Sequence, residues 1–480
     1  TYSNREHKIK LVENPPTLPK PREIVSVLNN LPVEQRSKVT VMNMQWGQFI
    51  SHEINDTPLV PGLQCCLNCS ENPLESNNCS AIDVKDDPFY EQFGIQCLEN
   101  RRSAPADSAC SIEREQVNDV TAYIDGSVVY GNSKEEADNL RTFSNGQMKV
   151  REIGNTEENL NGSCPAEAVC PFKFLPTVTT NGQERILAGD SRAVQQPSLT
   201  AMHTLFIRVH NRIASMLAAL HSNYDDEKLF QEARKLVIAL MQHITYNEYL
   251  PSVLPSWALI EYDLPSLPPG SGYFKGYKKH FDASLRNAFS AAAFRFGHSL
   301  IADIFNLSNG NNVQLAESFI THTFTFNFGT YPSDFLNGIS NQWSEEVDQN
   351  LVSSISNKLF ARGPNFNHGL DLYSRNIMRG RDHGLPPYTK WREYCGLPCI
   401  HNFTDLEVIM RDGVADVFAN LYQSVDDIDL YPAAISEKPE FDGIVGPTLT
   451  CLLSEQFKNL KFGDRFYYEN RIHPNRFTLE

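Results

Sequence analysis

Six stretches of the chain carry apolar residues at every third or fourth position, which is the spacing of one face of an α-helix. They cover residues 33–53, 198–221, 226–249, 282–305, 345–360 and 404–423. Signals for β-strands are short, around Ile186 and across residues 321–328, and Asn-Gly pairs at Asn145 and Asn181 predict turns. The pattern predicts a mainly α fold with few short strands.

Length and composition narrow the class of protein. The 480 residues are 41% hydrophobic, enough for a large core, and show no internal repeat. A formal charge of −16 argues against nucleic-acid binding by counterion release. The sequence has no run of 18 apolar residues and no signal peptide in its polar, Pro-rich residues 1–20, so we expect a mature, soluble chain without a membrane span.

Cysteines and glycosylation sequons favour an oxidising compartment. Six of the 11 cysteines lie between residues 65 and 110, and two more flank a short loop at Cys164 and Cys170. Asn-x-Ser/Thr sequons occur at five positions: Asn68, Asn78, Asn161, Asn306 and Asn402. Together these features predict loops held by disulfides in a secreted, extracellular glycoprotein.

Two separate histidines are candidates for one site. Gln48 and His52 are four residues apart, so on a helix both side chains project from one face. A single buried histidine is most often part of a core, but His298 adds a second one, next to Gly297 and one turn after Arg295. Small residues beside a histidine leave room for a flat, anionic cofactor.

A third segment, residues 376–386, is dense in Arg, Asp, His and Gly. By itself this composition fits either a buried network of ion pairs or a clamp for an anion, and the residues alone leave both open.

Taken together and in order, five motifs resemble the animal haem peroxidase family. The likeness runs from about residue 20 to 470, and the chain starts later and stops earlier than the family does. It implies a single domain over residues 1–480 with the peroxidase fold, in which haem lies between a distal and a proximal helix. The motifs are residues 46–52, 189–192, 202–212, 294–298 and 379–384.

The resemblance assigns roles around the haem. On the distal side, His52 is the acid-base histidine, Arg192 the arginine that stabilises charge, and Gln48 the glutamine that bonds halide or water.

On the proximal side, His298 is the iron ligand and Asn376 accepts a hydrogen bond from its ring. Arg295 and Arg379 contact the haem propionates.

The resemblance also implies a calcium site beside the distal histidine. Its ligands are the hydroxyl and carbonyl of Thr121, the carbonyl of Tyr123, the carboxylate of Asp125 and the hydroxyl of Ser127. Glu53 completes the set where the family usually has aspartate. Without the resemblance, residues 121–127 would read as a polar surface turn.

Three positions depart from the family. Covalent members attach haem through esters at the positions of Ser51 and Gln195, and myeloperoxidase adds a sulfonium link at the position of Gln196. A hydroxyl and two amides cannot form these bonds. We therefore expect the cofactors to be non-covalent haem b and Ca²⁺.

The family pattern also implies disulfide pairings: Cys65–Cys79, Cys69–Cys97, Cys164–Cys170 and Cys395–Cys451. We expect Cys66 to pair with Cys110, which leaves Cys399 free or intermolecular because eleven is odd.

The implied function is a secreted peroxidase that reduces hydrogen peroxide. Its expected donors are phenols, iodide, thiocyanate and bromide; chloride is not expected. Two alternatives remain: a haem-containing adhesion protein of the peroxinectin type with a cell-surface or matrix partner, which the absence of Arg-Gly-Asp and Lys-Gly-Asp weakens, and a fatty-acid oxygenase.

Overall fold

The computed structural model describes residues 18–32, 37–61, 65–66, 78–106, 114–153, 172–180, 183–320, 332–361, 366–471 and 476–478. Over these residues the fold is mainly α-helical, as expected. The α-helices are Pro21–Leu28, Val41–Ile54, Pro88–Glu91, Ser127–Tyr130, Lys134–Leu140, Pro197–Leu220, Asp226–Ile244, Leu250–Val253, Ser256–Glu261, Asn287–Ala291, Leu315–Ser318, Ser333–Asn341, Ser353–Ser356, Leu372–Asp382, Tyr388–Tyr394, Val414–Leu421, Leu430–Ser436 and Pro447–Gly463. The 3₁₀ segments are Ser191–Val194, Ala293–His298, Phe403–Leu406 and Val425–Asp427, and Thr245–Tyr249 is a π-helix.

The strands form small antiparallel pairs. Ile82–Asp83 pairs with Cys97–Leu98, Arg151–Ile153 with Phe172–Phe174, Thr177–Thr180 with Gln183–Ile186, and Ile304–Asn306 with Asn312–Gln314. The strand expected around Ile186 is therefore present. Asn145 has the positive φ of 54° that suits a tight turn. The other expected strand, 321–328, and the turn at Asn181 lie outside the described residues.

The two longest predicted helices are confirmed. Pro197–Leu220 begins at the N-cap Gln196, whose side chain accepts from the Ser198 N–H. Asp226–Ile244 begins at Asp225, which caps Lys228 N at 2.8 Å. It continues as a π-helix to Tyr249, where the predicted helix also ends.

The other four predicted helices are shorter or broken. The helix predicted over residues 33–53 starts at Val41 and not at residue 33. Segment 282–305 contains a five-residue helix and a 3₁₀ segment separated at Ala292, then turns into a strand at Ile304. Segment 345–360 keeps only Ser353–Ser356, and 404–423 keeps Phe403–Leu406 and Val414–Leu421. Apolar spacing also arises in irregular backbone that is buried, so it overestimated the helices here.

The core fixes the relative positions of the elements that later form the site. Phe49 stacks on Phe206, with ring centroids 5.0 Å apart, and so joins Val41–Ile54 to Pro197–Leu220. Phe289 stacks on Phe294 at 4.8 Å across the break at Ala292. Tyr246 donates to the carbonyl of Phe457, which ties the π-helix to the C-terminal helix Pro447–Gly463.

Arg22 links the first helix to distant parts of the chain. Its guanidinium donates to Asp87 and Asp371, both at 2.9 Å, and to the carbonyl of Ser356 at 2.9 Å. Asp371 in turn caps the helix Leu372–Asp382 by accepting from Ser374 N at 3.1 Å. Because all three side chains are buried, these ion pairs are shielded from solvent.

The disulfides agree only in part with expectation. The structure pairs Cys65 with Cys79 and Cys395 with Cys451, and Cys399 is free and exposed, as expected. Cys97, however, pairs with Cys66.

The predicted pairs Cys69–Cys97 and Cys66–Cys110 are therefore wrong. Both oxygens of Glu99 accept from the backbone at 2.7 Å, one from Cys65 N and one from Cys66 N, which holds this adjacent pair against the strand that begins at Cys97. The pair Cys164–Cys170 lies outside the described residues.

No helix in the described part of the chain combines the length and the apolarity needed to cross a membrane.

Candidate functional site

A cavity of about 320 Å³ separates the two histidine segments. His52, on the helix Val41–Ile54, lines one side, and His298, at the end of the 3₁₀ segment Ala293–His298, lines the other. The helix Leu372–Asp382 contributes further side chains to the wall. Gly297 faces open space, since a Cβ built there would meet nothing within 4 Å. The structure therefore brings together the residues that the sequence predicted for one site.

His52 lies in a nearly enclosed position that favours the uncharged form of its imidazole. Its side chain is 8% exposed, and burial, with a smaller effect of the charge of Arg192, lowers its pKa well below the usual range. Its Nδ1 is buried and has no hydrogen-bond partner within the described part of the chain. Nε2 is then the ring nitrogen available to the cavity.

Arg192 is held rigidly beside His52. Its Nε donates to Asp190 at 2.9 Å, its Nη2 donates to Asp190 and to the carbonyl of His52, and its Nη1 donates to the carbonyl of Asn55 at 2.8 Å. One further N–H, on Nη1, remains near Asp56, whose carboxylate lies 3.6 Å away. Most of the guanidinium is thus used to fix its own position.

Asp190 supplies the countercharge for this arginine. Burial opposes ionisation of its carboxyl, but the hydrogen bonds from Arg192 outweigh burial and lower its pKa to about 2. The sequence motif 189–192 was noted, but the role of Asp190 was missed. The sequence feature that could have indicated this role is an acidic residue two positions before an arginine, within a turn.

Gln48 lines the cavity one helical turn before His52. Its Oε1 accepts from Gln196 Nε2 at 2.9 Å. Ser51, Gln195 and Gln196, the three positions that depart from covalent family members, also line the cavity.

On the opposite side, His298 is also neutral. Burial, with the charge of Arg295, lowers its pKa to about 3. Asn376 lies against the ring as expected, with its amide 2.8 Å from Nδ1.

The Asn376 amide lies between His298 and Arg295. In the orientation present, its Nδ2 faces His298 Nδ1, and its Oδ1 accepts from Arg295 Nη1 at 3.3 Å. A half-turn of the amide would exchange the two atoms, so the expected bond from the ring to Asn376 stays a prediction.

Three arginines concentrate positive charge on one wall of the cavity. Burial, with the charge of Arg379, lowers the pKa of Arg295 to about 9 and that of Arg375 to about 10. Burial also lowers the pKa of Arg379. Arg375 was missed from the sequence, although it lies four residues before Arg379 and so on the same helix face.

The dense segment 376–386 proves to be both an ion-pair network and part of this wall. Asp382 is buried and accepts from Arg102 Nε at 2.5 Å and from Ser103 N at 2.7 Å. Arg379 donates to the hydroxyl of Ser103, which also bonds His383 Nε2 at 2.7 Å. Buried polar groups that satisfy one another in this way fix Arg379 at the cavity.

These residues fit haem. Two neutral imidazoles face one cavity, as an iron ligand and a distal base require. Three buried arginines line one wall, and burial lowers the pKa of each, so anionic partners such as the propionates of haem would suit them. The open space above Gly297 suits a flat ring.

The expected calcium ligands also lie close together, just behind His52. Glu53 is fully buried, and its carboxylate accepts from Gly126 N at 2.5 Å and Val128 N at 2.8 Å. Ser127 Oγ donates to the Glu53 carbonyl at 3.2 Å, and Thr121 Oγ1 donates to Asp125 at 2.9 Å.

Two carboxylates with hydroxyl and carbonyl oxygens are the ligands that Ca²⁺ prefers. Burial and the charge of Asp125 raise the pKa of Glu53 to about 8, because both disfavour a second negative charge at this place; a cation bound between the two carboxylates would remove that penalty. Within the described residues, no group of three or more His, Cys, Asp or Glu side chains is arranged to hold a metal ion. A site here would therefore depend on backbone carbonyl and hydroxyl oxygens as well.

The sequence model of the animal haem peroxidase family matches residues 1–480. The chain belongs to this family. It is 35% identical over 458 residues to Peroxidase mlt-7 of Caenorhabditis elegans, covering 92% of this chain and 57% of that protein. It is 35% identical over 482 residues to myeloperoxidase of Mus musculus, covering 94% and 64%. This haem peroxidase chain thus spans about three fifths of the length of these relatives.

Solved structures confirm the peroxidase fold. Peroxidase A from Dictyostelium discoideum superimposes with a TM-score of 0.74 at 29% identity, over 95% of this chain and 85% of that one. Fatty acid alpha-dioxygenase from Oryza sativa superimposes with a TM-score of 0.67 at 17% identity, over 94% and 74%. The second likeness shows a shared fold alone.

Proposed function

We propose that this chain is a haem-dependent peroxidase, an oxidoreductase that acts on hydrogen peroxide. The observation that carries the proposal is the pair of neutral histidines, His52 and His298, on opposite sides of one cavity whose wall holds three buried arginines. Membership of the animal haem peroxidase family supports it. Bound haem b would supply a redox-active iron at which peroxide is reduced to water.

On the distal side, the protein moves one proton. Neutral His52 accepts a proton from hydrogen peroxide at Nε2 and returns it to the oxygen that leaves as water. The remaining Nη1–H of Arg192 stabilises the negative charge that develops when the O–O bond breaks. Because Arg192 is tied to the His52 carbonyl at 3.0 Å, base and cation keep a fixed spacing.

On the proximal side, the protein holds the iron ligand. Ligation through His298 Nε2 requires the proton to be on Nδ1 and an acceptor to face it. A half-turn of the Asn376 amide would supply that acceptor, its Oδ1, and would release Arg295 Nη1 to pair with a propionate. Arg295 and Arg379, with Arg375 in support, would pair with the propionates.

We further propose that haem is bound without covalent links. Ser51, Gln195 and Gln196 carry no carboxylate or thioether, so esters and a sulfonium cannot form at these positions. A less distorted porphyrin is expected to oxidise phenols, iodide, thiocyanate and bromide but not chloride. Acidified organic solvent should then extract unmodified haem; haem that stays with the polypeptide after peroxide turnover would contradict this.

We also propose that Ca²⁺ binds at Glu53 and residues 121–127, and that the chain is one domain of a secreted glycoprotein. The described disulfides support an oxidising compartment. Sequon residues Asn78, Asn306 and Asn402 are exposed and so accessible to glycosylation; Asn68 and Asn161 lie outside the described residues.

The test is an absorption spectrum of the purified protein with and without added haem. We expect a Soret band that grows on haem addition and responds to peroxide. His298→Ala should lose stoichiometric haem, because it removes the proximal ligand, while His401→Ala, at an exposed histidine away from the cavity, should behave as wild type. Full haem content and activity in His298→Ala would overturn the assignment.

A further inference from the structure

Gln196 has an amide whose orientation is fixed by the backbone. Its Oε1 accepts from the Ser198 backbone N–H at 2.8 Å. A backbone N–H can only donate, so the atom facing it must be the amide oxygen. The oxygen and nitrogen of Gln196, which are otherwise interchangeable by a half-turn, are therefore distinguished.

The orientation of the Gln196 amide determines the orientations of the Gln45 and Gln48 amides. Gln196 Nε2 has two hydrogens, and they reach Gln45 Oε1 at 2.7 Å and Gln48 Oε1 at 2.9 Å. Ser198 Oγ also donates to Gln45 Oε1 and so holds that amide in place. Gln196 and Gln45 are buried, at 7% and 0% exposure, and cannot relax into solvent.

The consequence lies at Gln48. Its oxygen is taken by Gln196, so its other amide atom, Nε2, is the one left for the cavity that it lines. Across the described residues, no acceptor bonds Gln48 Nε2. An N–H donor without an acceptor, in a cavity that Arg192 also lines, favours a negatively charged ligand.

We propose that Gln196 is a positioning residue for anion binding. By accepting from the backbone and donating to Gln48, it makes Gln48 present N–H groups, and not its carbonyl oxygen, to small monovalent anions in the cavity. The inference rests on the proposed function as a haem peroxidase. Gln196 cannot form the sulfonium link. The proposal assigns this residue a different role in the same site.

The test is a titration of the haem-loaded, resting protein with sodium bromide at constant ionic strength, followed by the shift of the Soret band. Gln196→Leu keeps approximately the volume of the side chain but removes the amide, and it places no sulfur beside the haem. Its bromide Kd should rise about tenfold, or about 1.4 kcal/mol. In steady state, KM for bromide should rise by a larger factor than kcat falls.

Gln231→Leu is the matched control. It removes the amide of an exposed glutamine that does not line the cavity, so the bromide Kd should stay within about twofold of wild type. In a double-mutant cycle, Gln196→Leu should add no further weakening to Gln48→Leu, because Gln196 acts through Gln48. Additive effects would overturn the proposal.

A second variant covers the case in which Gln196→Leu does not fold. Gln196→Glu keeps the oxygen that caps Ser198 N and removes both donors, so bromide should again bind more weakly; wild-type Kd would overturn the proposal. The proposal would also be overturned if bromide did not shift the Soret band of the wild-type protein. A wild type without any Soret band would instead contradict the haem function itself.

Discussion

At the scale of single residues, the distal site depends on one imidazole that stays neutral. His52→Ala should retain haem, because it does not touch the proximal side, but should slow the reaction with peroxide by about 100-fold or more. Stopped-flow absorption after mixing with hydrogen peroxide measures this rate. His221→Ala, at an exposed histidine, is the control. An unchanged rate in His52→Ala would mean that this histidine is structural.

Asn376 offers a second prediction at this scale. Asn376→Asp replaces an amide that can turn with a carboxylate that only accepts, so the proton on His298 Nδ1 is held more strongly and Nε2 becomes a better iron ligand. We expect the midpoint potential of the iron to fall, by about 59 mV for each tenfold increase in the equilibrium ratio of ferric to ferrous protein. Spectroelectrochemistry measures it.

An Asn376→Asp potential equal to that of wild type would show that the ring is not controlled through this contact. Asn376→Ala, which removes the partner altogether, should move the potential in the opposite direction.

The site residues could be predicted where a single sequence motif contains all the side chains that act together. Gln48 and His52 share a helix face, and His298 follows Arg295 by one turn, so spacing indicated each pair; that the two pairs face one site was implied by the resemblance to the family. Asp190 could not be assigned in this way, because its importance depends on Arg192 folding back onto it. The amide direction of Asn376 depends on Arg295, which comes from a different element.

At the scale of elements, the turn 121–127 is joined to the end of the helix Val41–Ile54 by Glu53. Removing bound Ca²⁺ with a chelator should lower both the melting temperature and peroxidase activity, because a ligand that binds only the folded state stabilises it. At a free Ca²⁺ concentration of 100 Kd, the loss is about 2.7 kcal/mol.

Calorimetry with and without chelator, with metal content measured in parallel, checks this loss. Asp125→Asn is the matched variant, since it should show a lower melting temperature that chelator no longer changes. If verified metal removal leaves the wild-type melting temperature unchanged, the calcium site is wrong.

Secondary structure was predictable where a helix has both an apolar and a solvated face. Pro197–Leu220 and Asp226–Ile244 have such faces and recognisable N-caps. Pro447–Gly463 was missed because it is buried nearly all round and so carries little polar periodicity. The break at Ala292 follows from packing of Phe289 on Phe294, a contact that spacing does not reveal.

At the scale of the whole molecule, Arg22 joins the caps of two helices that are far apart in sequence. Arg22→Ala would leave Asp87 and Asp371 buried without their cation, which costs about 3–5 kcal/mol of unfolding free energy. Denaturant unfolding measures the change.

The control is Lys20→Ala, two residues away. The Lys20–Asp83 ion pair is 2.8 Å long but exposed, so its loss should cost no more than about 1 kcal/mol. Equal effects of the two substitutions would contradict the role assigned to Arg22. The sequence could not reveal these contacts of Arg22, because its partners Asp87 and Asp371 are 65 and 349 residues away.

The disulfide between Cys395 and Cys451 has a consequence for a chain cut by a protease. Phe441 is 93% exposed and lies inside the loop that this disulfide closes. A chymotrypsin cut after Phe441 would leave two fragments that migrate together on a non-reducing gel and separate only after reduction. Because His52, Arg192, His298 and Arg379 all precede the cut, a nicked protein would carry its entire reaction centre on one fragment and still be tethered to the helix Pro447–Gly463.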